Sequence, residues 1–392
     1  MAKELALTLH NTHQGSQDLG DQRAQEAKRL VQLAKLEPLT DGGLKTSQLL
    51  LQALAKDPHH HEAQILLERL YQMFVPRWHF PMLADTVRNR AYAEAIAAKV
   101  RPGDIVLDIG CGAGLTAMLA ARAGAKHVYT CEKQPLIAQA AVRVIAENGL
   151  ADRITVIPKM SHNLVVGVDL PERADVVISE IVDTVLLGEG ALATLVHAMH
   201  KLAKPNARAV PERGTLKAQL VESDRLLNLW RPQEAEGFKL GAFHHFSNVA
   251  QITPNDLSAC HLRGLGPATD LFHFDFMRPT LRPAQTAEHL ACAATGTIHA
   301  VLVFFEMRLS PDIKVSNGLT SGGHWGRTAF LLAHPIAAAP GDRLAIVAHH
   351  DTSQFSLSVD QTTVFADDVT QALAWMKNAR DGSDPMVSPI PA

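Results

Sequence analysis

Two glutamates lie nine positions apart in SEIVDTVLLGEG (179–190), and the residues between them are mostly apolar. The preceding run ADVVIS is typical of a buried strand. Two carboxylates in an apolar setting repel each other unless a cation lies between them. A guanidinium is the planar cation that two carboxylates can bind through forked, charge-assisted hydrogen bonds. Glu180 and Glu189 therefore predict a guanidinium site, if residues 181–188 fold back as a loop. The alternative is an incidental Glu180 and a helix-capping Glu189.

A second candidate site is the glycine-rich stretch VLDIGCGAG (106–114), typical of a strand that turns into a helix. Its glycines let the backbone approach a ligand closely, and Asp108 ends the strand beneath them. These glycines are Gly110, Gly112 and Gly114. Glu132 ends the next predicted strand, where a carboxylate can accept hydrogen bonds from both ribose hydroxyls. With GxGxG in place of GxGxxG, the pattern favours S-adenosylmethionine over a dinucleotide. The alternative is that Glu132 caps the helix beginning near Pro135.

The elements that must position these residues alternate between strand and helix from about residue 103. Strand signals such as HVYTCE and RITVIP alternate with helix signals such as PLIAQAAVRVIAENG. This order predicts a parallel α/β sheet with ligands at the carboxyl ends of its strands. After Pro205, strand signals such as GTIHAVLVFFEMRLS separated by turns predict a mostly β, barrel-like domain. In front, residues 21–71 repeat Leu and Ala at helical spacing and resemble part of a tetratricopeptide-like hairpin.

The predicted fold class is therefore α/β, with a Rossmann-like class I methyltransferase domain followed by a β-barrel-like domain. The predicted divisions are a helical region (1–70), the cofactor domain (71–207), the barrel domain (208–380) and a disordered tail (381–392). The histidine run 59–61 is better explained as a solvated turn than as a metal site, because adjacent helical side chains point in different directions.

Composition predicts an ordinary globular protein. The chain has 392 residues, is 47% hydrophobic and carries a formal net charge of −3. That charge provides no general field for nucleic acid or an anionic membrane, and neither partner is expected. The four cysteines show no CxxC spacing, the N-terminus lacks the apolar core of a signal peptide, and no apolar run could span a bilayer. We therefore expect a cytoplasmic protein.

Four motifs in sequence order, within roughly residues 66–378, resemble those of the protein arginine methyltransferases. SEIVDTVLLGEG resembles their double-glutamate loop, VLDIGCGAG their cofactor motif, and GGHWGRTAF (322–330) the His-Trp loop of their barrel. RWHFPMLADTVRNRAYAEAI (77–96) is similar to the helix that closes over the cofactor. The resemblance is closest to members with a Gly-Glu-Gly glutamate loop and helical repeats in front. It implies a protein arginine methyltransferase that uses S-adenosylmethionine.

The resemblance also implies roles for individual residues. Arg88 would bind the methionine carboxylate of the cofactor. A glutamate that often meets the adenine amino group in the family is missing at PKMSHN, so backbone near Ser161 and His162 would serve the adenine instead. His324 would pair with Asp85 across the domain boundary. The catalytic residues implied are Glu180, Glu189, His324 and Asp85. The cofactor residues implied are Arg88, Asp108, Gly110, Gly112, Gly114, Glu132, Ser161 and His162. The substrate residues implied are Trp325, as a wall of the arginine channel, with Met82 and Asp183.

Departures from the family pattern bear on the product. Ile181, Val182 and Asp183 stand where asymmetric dimethylating members carry a Trp-Met pair after the first glutamate. We therefore predict monomethylarginine as the main product, with symmetric dimethylarginine as the alternative. Asp183 has two equally weighted explanations: it attracts basic residues beside the target arginine, or it hydrogen-bonds its own loop. The proton is predicted to leave either to a carboxylate of the pair or to the His324–Asp85 relay.

One apolar segment predicts how the protein assembles. Residues 225–260 occupy the place of the family's dimerisation arm, and their Leu, Trp and Phe content predicts a homodimer.

Two other functions are alternatives to a protein arginine methyltransferase. A small-molecule methyltransferase would share the sheet and Glu132 but would need neither both glutamates nor the His-Trp loop. A catalytically silent binding module that docks through its helical N-terminus is a further alternative, against which the intact motifs argue.

Overall fold

The computed structural model describes residues 20–359. Its first part is helical, with α1 over residues 20–36, α2 over Leu44–Lys56 and α3 over His61–Phe74. Leu50, Ala53 and Leu67 share a small buried core with α1. Within the histidine run, the His60 ring accepts a hydrogen bond from the Ala63 amide (3.3 Å) and so caps α3. Because α3 continues to Phe74, the predicted division at residue 70 falls inside a helix.

A five-stranded parallel sheet follows, with the strand order β3-β2-β1-β4-β5. Its strands are β1 (Ile105–Ile109), β2 (His127–Cys131), β3 (Ile154–Ile157), β4 (Ala174–Ser179) and β5 (Ala203–Val210). The helices before and between them are α4 (His79–Ala84), α5 (Thr86–Lys99), α6 (Leu115–Arg122), α7 (Pro135–Glu147) and α8 (Ala191–His197). The chain order reverses between β1 and β4, which is where open α/β sheets bind ligands.

Strand β5 is an element that the sequence did not predict. It contains Pro205, which cannot donate to a ladder, but β5 lies at the edge of the sheet, where proline is tolerated. The predicted division after residue 207 falls within this strand. The sheet ends at Val210, and the barrel strands begin at Arg213.

The remaining strands form antiparallel sheets, in agreement with the predicted mostly β, barrel-like domain. A seven-stranded sheet has the order β10-β6-β13-β15-β9 with β11 on β6 and β14 on β13, and a three-stranded sheet has the order β12-β16-β17. The elements are β6 (Arg213–Glu222), α9 (Asp224–Trp230), β7 (Glu234–Ala235), β8 (Phe238–Lys239), β9 (Val249–Ile252), α10 (Pro254–Cys260), β10 (Arg263–Gly264), β11 (Thr269–Asp275), β12 (Ala284–Ala291), β13 (Gly296–Ser310), β14 (Ile313–Ser316), β15 (Arg327–Ala338), β16 (Arg343–His350) and β17 (Phe355–Val359). The end of the predicted barrel domain (360–380) and the predicted tail lie outside the described residues.

Helix α5 joins the cofactor sheet to the antiparallel part. Tyr92 and Ile96 of α5 belong to one buried cluster with Phe305 and Met307 of β13. Because α5 packs on both parts, the residues at its N-terminus lie at the boundary between them. No helix between residues 20 and 359 is long and apolar enough to cross a membrane.

Candidate active site

A cavity of about 580 Å³ lies at the carboxyl ends of β1, β2 and β4. Its volume is within the range of small-molecule sites. The sequence-predicted residues that line it are Met82, Arg88, Gly110, Gly112, Glu132, Ser161, Glu180 and Glu189. The two predicted sites, for a nucleoside and for a guanidinium, therefore share one cavity.

The glycine loop and Glu132 lie at the end of the cavity that is predicted to hold the nucleoside. One oxygen of Glu132 accepts a hydrogen bond from the Gly112 amide (3.1 Å) and the other from the Gln134 amide (2.9 Å). Glu132 thus holds the glycine loop against the start of α7 and keeps lone pairs free for ribose hydroxyls. Gly110 has a φ of 86°, and a Cβ there would lie 2.7 Å from a methyl of Ile181. Only glycine fits at position 110. Together, the glycine loop and Glu132 suit the S-adenosylmethionine predicted from the sequence.

Three residues predicted to hold the cofactor lie outside the cavity lining. Asp108 is fully buried beneath the loop, and Thr130 donates a hydrogen bond to it (2.6 Å). Burial raises the pKa of Asp108 to about 6, although hydrogen bonds from Thr130 and Thr116 act to lower it. Gly114 packs against Ile145 rather than facing the cavity. His162 is exposed and stacks on His197 with 4.8 Å between ring centroids, so only Ser161 of the predicted adenine pair lines the cavity.

Glu180 directly follows β4, and its carboxylate is bound by Arg88 of α5. Their side chains are 6% and 4% exposed, respectively. Arg88 is therefore a counter-charge from within the protein, and the sequence-based expectation of a guanidinium between the two glutamates did not include it. Burial raises the pKa of Glu180 to about 7; Arg88 opposes this shift, and the carboxylate of Glu189 adds to it.

Glu189 reaches the same cavity through a strained turn. Its φ of 58° and ψ of 11° lie in the left-handed region, which is uncommon for residues other than glycine. Within the loop, Asp183 accepts a hydrogen bond from the Val185 amide (3.0 Å). A Cβ on Gly188 would lie 2.4 Å from the Asp183 carboxyl group. Asp183 does not line the cavity, and the structure matches the second explanation for it, a hydrogen bond within its own loop.

The His-Trp loop meets the start of α5, as the resemblance implied. The His324 backbone amide and ring Nδ1 each lie 3.0 Å from an oxygen of Asp85, whose other oxygen caps α5 by accepting from the Arg88 amide (2.9 Å). Although burial opposes it, these hydrogen bonds lower the pKa of Asp85. Burial lowers the pKa of His324, although the hydrogen bond to Asp85 acts to raise it. A neutral His324 that donates from Nδ1 keeps Nε2 as a proton acceptor.

Trp325 is buried and packs edge-on against Phe305, with 5.2 Å between ring centroids. Its side chain also helps to lower the pKa of Glu180. Trp325 itself lies outside the cavity lining, as do His324 and Asp85.

Two residues near the site, Tyr92 and Thr194, were not predicted from the sequence. The Tyr92 ring lies 5.2 Å from the Arg88 guanidinium carbon, and its hydroxyl donates to the Ser179 carbonyl (3.2 Å). Its spacing of four residues from Arg88 placed both on one face of α5, and that signal could have identified it. Thr194 lines the cavity from α8, and no sequence signal distinguished it.

Comparisons with known proteins agree with this geometry. Residues 91–221 match the family model described as ribosomal protein L11 methyltransferase (PrmA). The chain is 40% identical over 273 residues to arginine N(omega)-methyltransferase of Streptomyces achromogenes subsp. streptozoticus, covering 69% of this chain and 75% of that protein. It is 32% identical over 300 residues to protein arginine N-methyltransferase 7 of Danio rerio, covering 69% of this chain and 44% of that protein. The chain thus spans less than half the length of this second relative.

Solved structures share the fold. A Trypanosoma brucei PRMT1 enzyme-prozyme heterotetrameric complex with AdoHcy matches with a TM-score of 0.62 at 23% identity, covering 72% of this chain and 92% of that one. Arabidopsis thaliana protein arginine methyltransferase 10 matches with a TM-score of 0.56 at 19% identity, covering 71% and 94%. The predicted fold class and family are confirmed. With 40% identity over three quarters of one relative and a cavity that fits the cofactor, the chain belongs to the S-adenosylmethionine-dependent protein arginine methyltransferase family.

Proposed function

We propose that the protein transfers a methyl group from S-adenosylmethionine to an ω-nitrogen of arginine in protein substrates, with monomethylarginine as the main product. The observation that carries this proposal is that Glu180 and Glu189 line the same cavity as the glycine loop and Glu132. A carboxylate pair and a nucleoside site in one cavity suit a guanidinium that must meet a methyl donor.

The residues would act by binding and orientation. S-adenosylmethionine supplies an electrophilic methyl group when it is bound. The arginine guanidinium has a pKa above about 12, so it is protonated near neutral pH and is a poor nucleophile. Glu180 and Glu189 bind the nitrogens that do not attack, draw positive charge towards themselves and aim the third nitrogen. Arg88 fixes the orientation of Glu180 through their ion pair.

The proton has two acceptors in this proposal. Glu180, with its pKa of about 7, can take a proton near neutral pH. Nε2 of a neutral His324, held by Asp85, is the second. The expected product rests on Val182 and Asp183, which replace a bulky Trp-Met pair after the first glutamate.

The protein is proposed to be a homodimer that uses residues 225–260 as its arm. Leu226 is buried within its own chain, whereas the aromatic side chains farther along the arm lie in solvent. Phe238, Phe243 and Phe246 are each more than 70% exposed. Aromatic groups exposed in this way favour packing on a second copy.

The domain division is proposed to follow the element bounds. A helical unit would end near Phe74, a cofactor domain near Val210, and the barrel domain would begin near Arg213. A cytoplasmic location is proposed because all four cysteines are buried free thiols, which suits a reducing compartment.

Mass spectrometry of an arginine-rich peptide after incubation with S-adenosylmethionine tests the proposal. Free arginine is the second substrate to include, because one relative is named for arginine alone. Monomethylarginine in the peptide supports the proposed function. Methylation of free arginine without methylation of the peptide would favour a small-molecule methyltransferase, and no transfer to either would favour a silent binding module.

A further inference from the structure

Asn317 forms a bridge between two loops that are far apart in sequence. It is 1% exposed and directly follows β14. Its Nδ2 donates hydrogen bonds to the Thr184 carbonyl (3.0 Å) and the Gly326 carbonyl (2.8 Å). Its Oδ1 accepts from the Phe305 amide of β13 (2.7 Å). The side chain thus uses two donors and one acceptor to join three segments.

The two loops joined by Asn317 carry the proposed catalytic groups. Thr184 lies between Glu180 and Glu189, and Gly326 directly follows the His324–Trp325 pair. A change in the distance between these loops would move the glutamates relative to the His324–Trp325 pair. Such a change would alter how the guanidinium is held, without any contact between Asn317 and the substrate.

A second contact crosses between the same loops. The hydroxyls of Thr184 and Thr328 lie 2.8 Å apart. A Cβ on Gly326 would lie 2.9 Å from the Ile252 carbonyl oxygen and 3.4 Å from the Thr184 methyl, so the backbone approaches closely there. The loops are therefore packed directly against each other around the Asn317 hydrogen bonds.

The barrel side of the bridge is held by a buried arginine. Arg327 donates to the carbonyls of Trp325 (3.0 Å) and Gly318 (3.1 Å), and it also bonds to the Ser321 carbonyl. It is 1% exposed, so these carbonyls replace water around its charge. Asn317 therefore connects the glutamate loop to a barrel loop that is already fixed.

We propose that Asn317 is a positioning residue that sets the glutamate loop against the His-Trp loop. The inference rests on the proposed function for its catalytic consequence, but the bridge itself has a readout that does not need activity. Asn317→Asp is the selective variant because it keeps the acceptor for Phe305 and removes both donors. Ser316→Ala is the matched control: the Ser316 hydroxyl bonds to the Phe305 carbonyl and Gly318 amide and does not touch the glutamate loop.

We expect Asn317→Asp to lower kcat about 10- to 100-fold, because small misplacements of catalytic groups have effects of this size. The dissociation constant for S-adenosylmethionine, measured by calorimetry, should stay within about twofold, because that end of the cavity is untouched. Ser316→Ala should keep kcat within about threefold. In hydrogen exchange, amides of residues 181–188 should exchange faster in Asn317→Asp and not in the control.

These measurements distinguish the Asn317 contact between the two loops from the proposed methyltransferase activity. Unchanged exchange in residues 181–188 together with kcat within threefold would overturn the proposal. Faster exchange in a protein whose wild type methylates no arginine would retain the bridge and reject the proposed function. If Asn317→Asp does not fold, Thr328→Val removes the second contact without adding charge. Faster exchange in the glutamate loop with a lower kcat would then support the proposal, and no change in either would overturn it.

Discussion

Replacing Arg88 with glutamine should move the acid limb of the pH–activity profile. Glu180 can hold a guanidinium only when it is ionised, so activity is present above its pKa and is lost as the pH falls through it. That pKa is about 7, with Arg88 the largest of the opposing influences. Removal of an opposite charge in direct contact raises a carboxyl pKa by about 1 to 3 units.

A shift of about 2 units corresponds to roughly 2.7 kcal/mol and an acid limb near pH 9. At pH 7.5 the ionised fraction of Glu180 would fall from about three quarters to about one thirtieth, roughly a 25-fold loss of activity. The variant should recover activity as the pH rises towards 9, because the arginine substrate stays protonated there.

The assay is kcat/KM for an arginine peptide from pH 6 to 10, at saturating S-adenosylmethionine so that weaker cofactor binding does not contribute. Arg90→Gln is the control, because Arg90 lies exposed on the same helix. It should leave the acid limb near pH 7. An acid limb that stays near pH 7 in Arg88→Gln would refute the coupling between Arg88 and Glu180.

Substitutions at three further positions test the cap of α5, the glutamate loop and the proposed dimerisation arm. Asp85→Ala should be about 1 kcal/mol less stable than Asp85→Asn, because the amide oxygen of Asn can still cap α5. Both variants lose the acceptor for His324, so kcat should fall in both, and calorimetry should show the lower melting temperature in Ala. Equal melting temperatures would refute the capping role. Asp183→Asn should leave KM for a basic peptide within about twofold, because the Val185 amide still finds an acceptor; a tenfold rise would instead identify a substrate contact. Phe243→Glu should shift sedimentation from dimer to monomer, and a concentration-independent mass near 42.5 kDa for the wild type would refute the homodimer.

Features that are local in the sequence could be predicted from it. Gly110, Gly112 and Glu132, which line the cavity, were selected from a strand-turn-helix pattern, because glycine spacing and strand ends are constrained within a few residues. The fold class followed from alternating strands and helices. Strand β5 was not predicted because it contains Pro205 and shows little apolar alternation. Its place at the sheet edge comes from tertiary pairing.

Long-range contacts could not be predicted in the same way. The Arg88–Glu180 pair joins residues 92 positions apart, and only a cofactor role was expected for Arg88, from the family resemblance. The bond from Asn317 to the Thr184 carbonyl spans 133 positions and ends on backbone, which carries no side-chain signal. His162 followed the right strand, but its ring turns towards His197, an orientation that only packing decides.

The two-glutamate site is tested by mass spectrometry of hydrolysed peptide, comparing wild type with Glu189→Gln at saturating S-adenosylmethionine. We expect mainly monomethylarginine from the wild type. In the variant we expect at least a tenfold loss of kcat/KM, equivalent to about 1.4 kcal/mol, with cofactor affinity nearly unchanged. Glu147→Gln, an exposed change at the end of α7, should behave as wild type. The two-glutamate site would be contradicted if the wild type formed no methylarginine. It would also be contradicted if Glu189→Gln kept more than about a tenth of the wild-type kcat/KM.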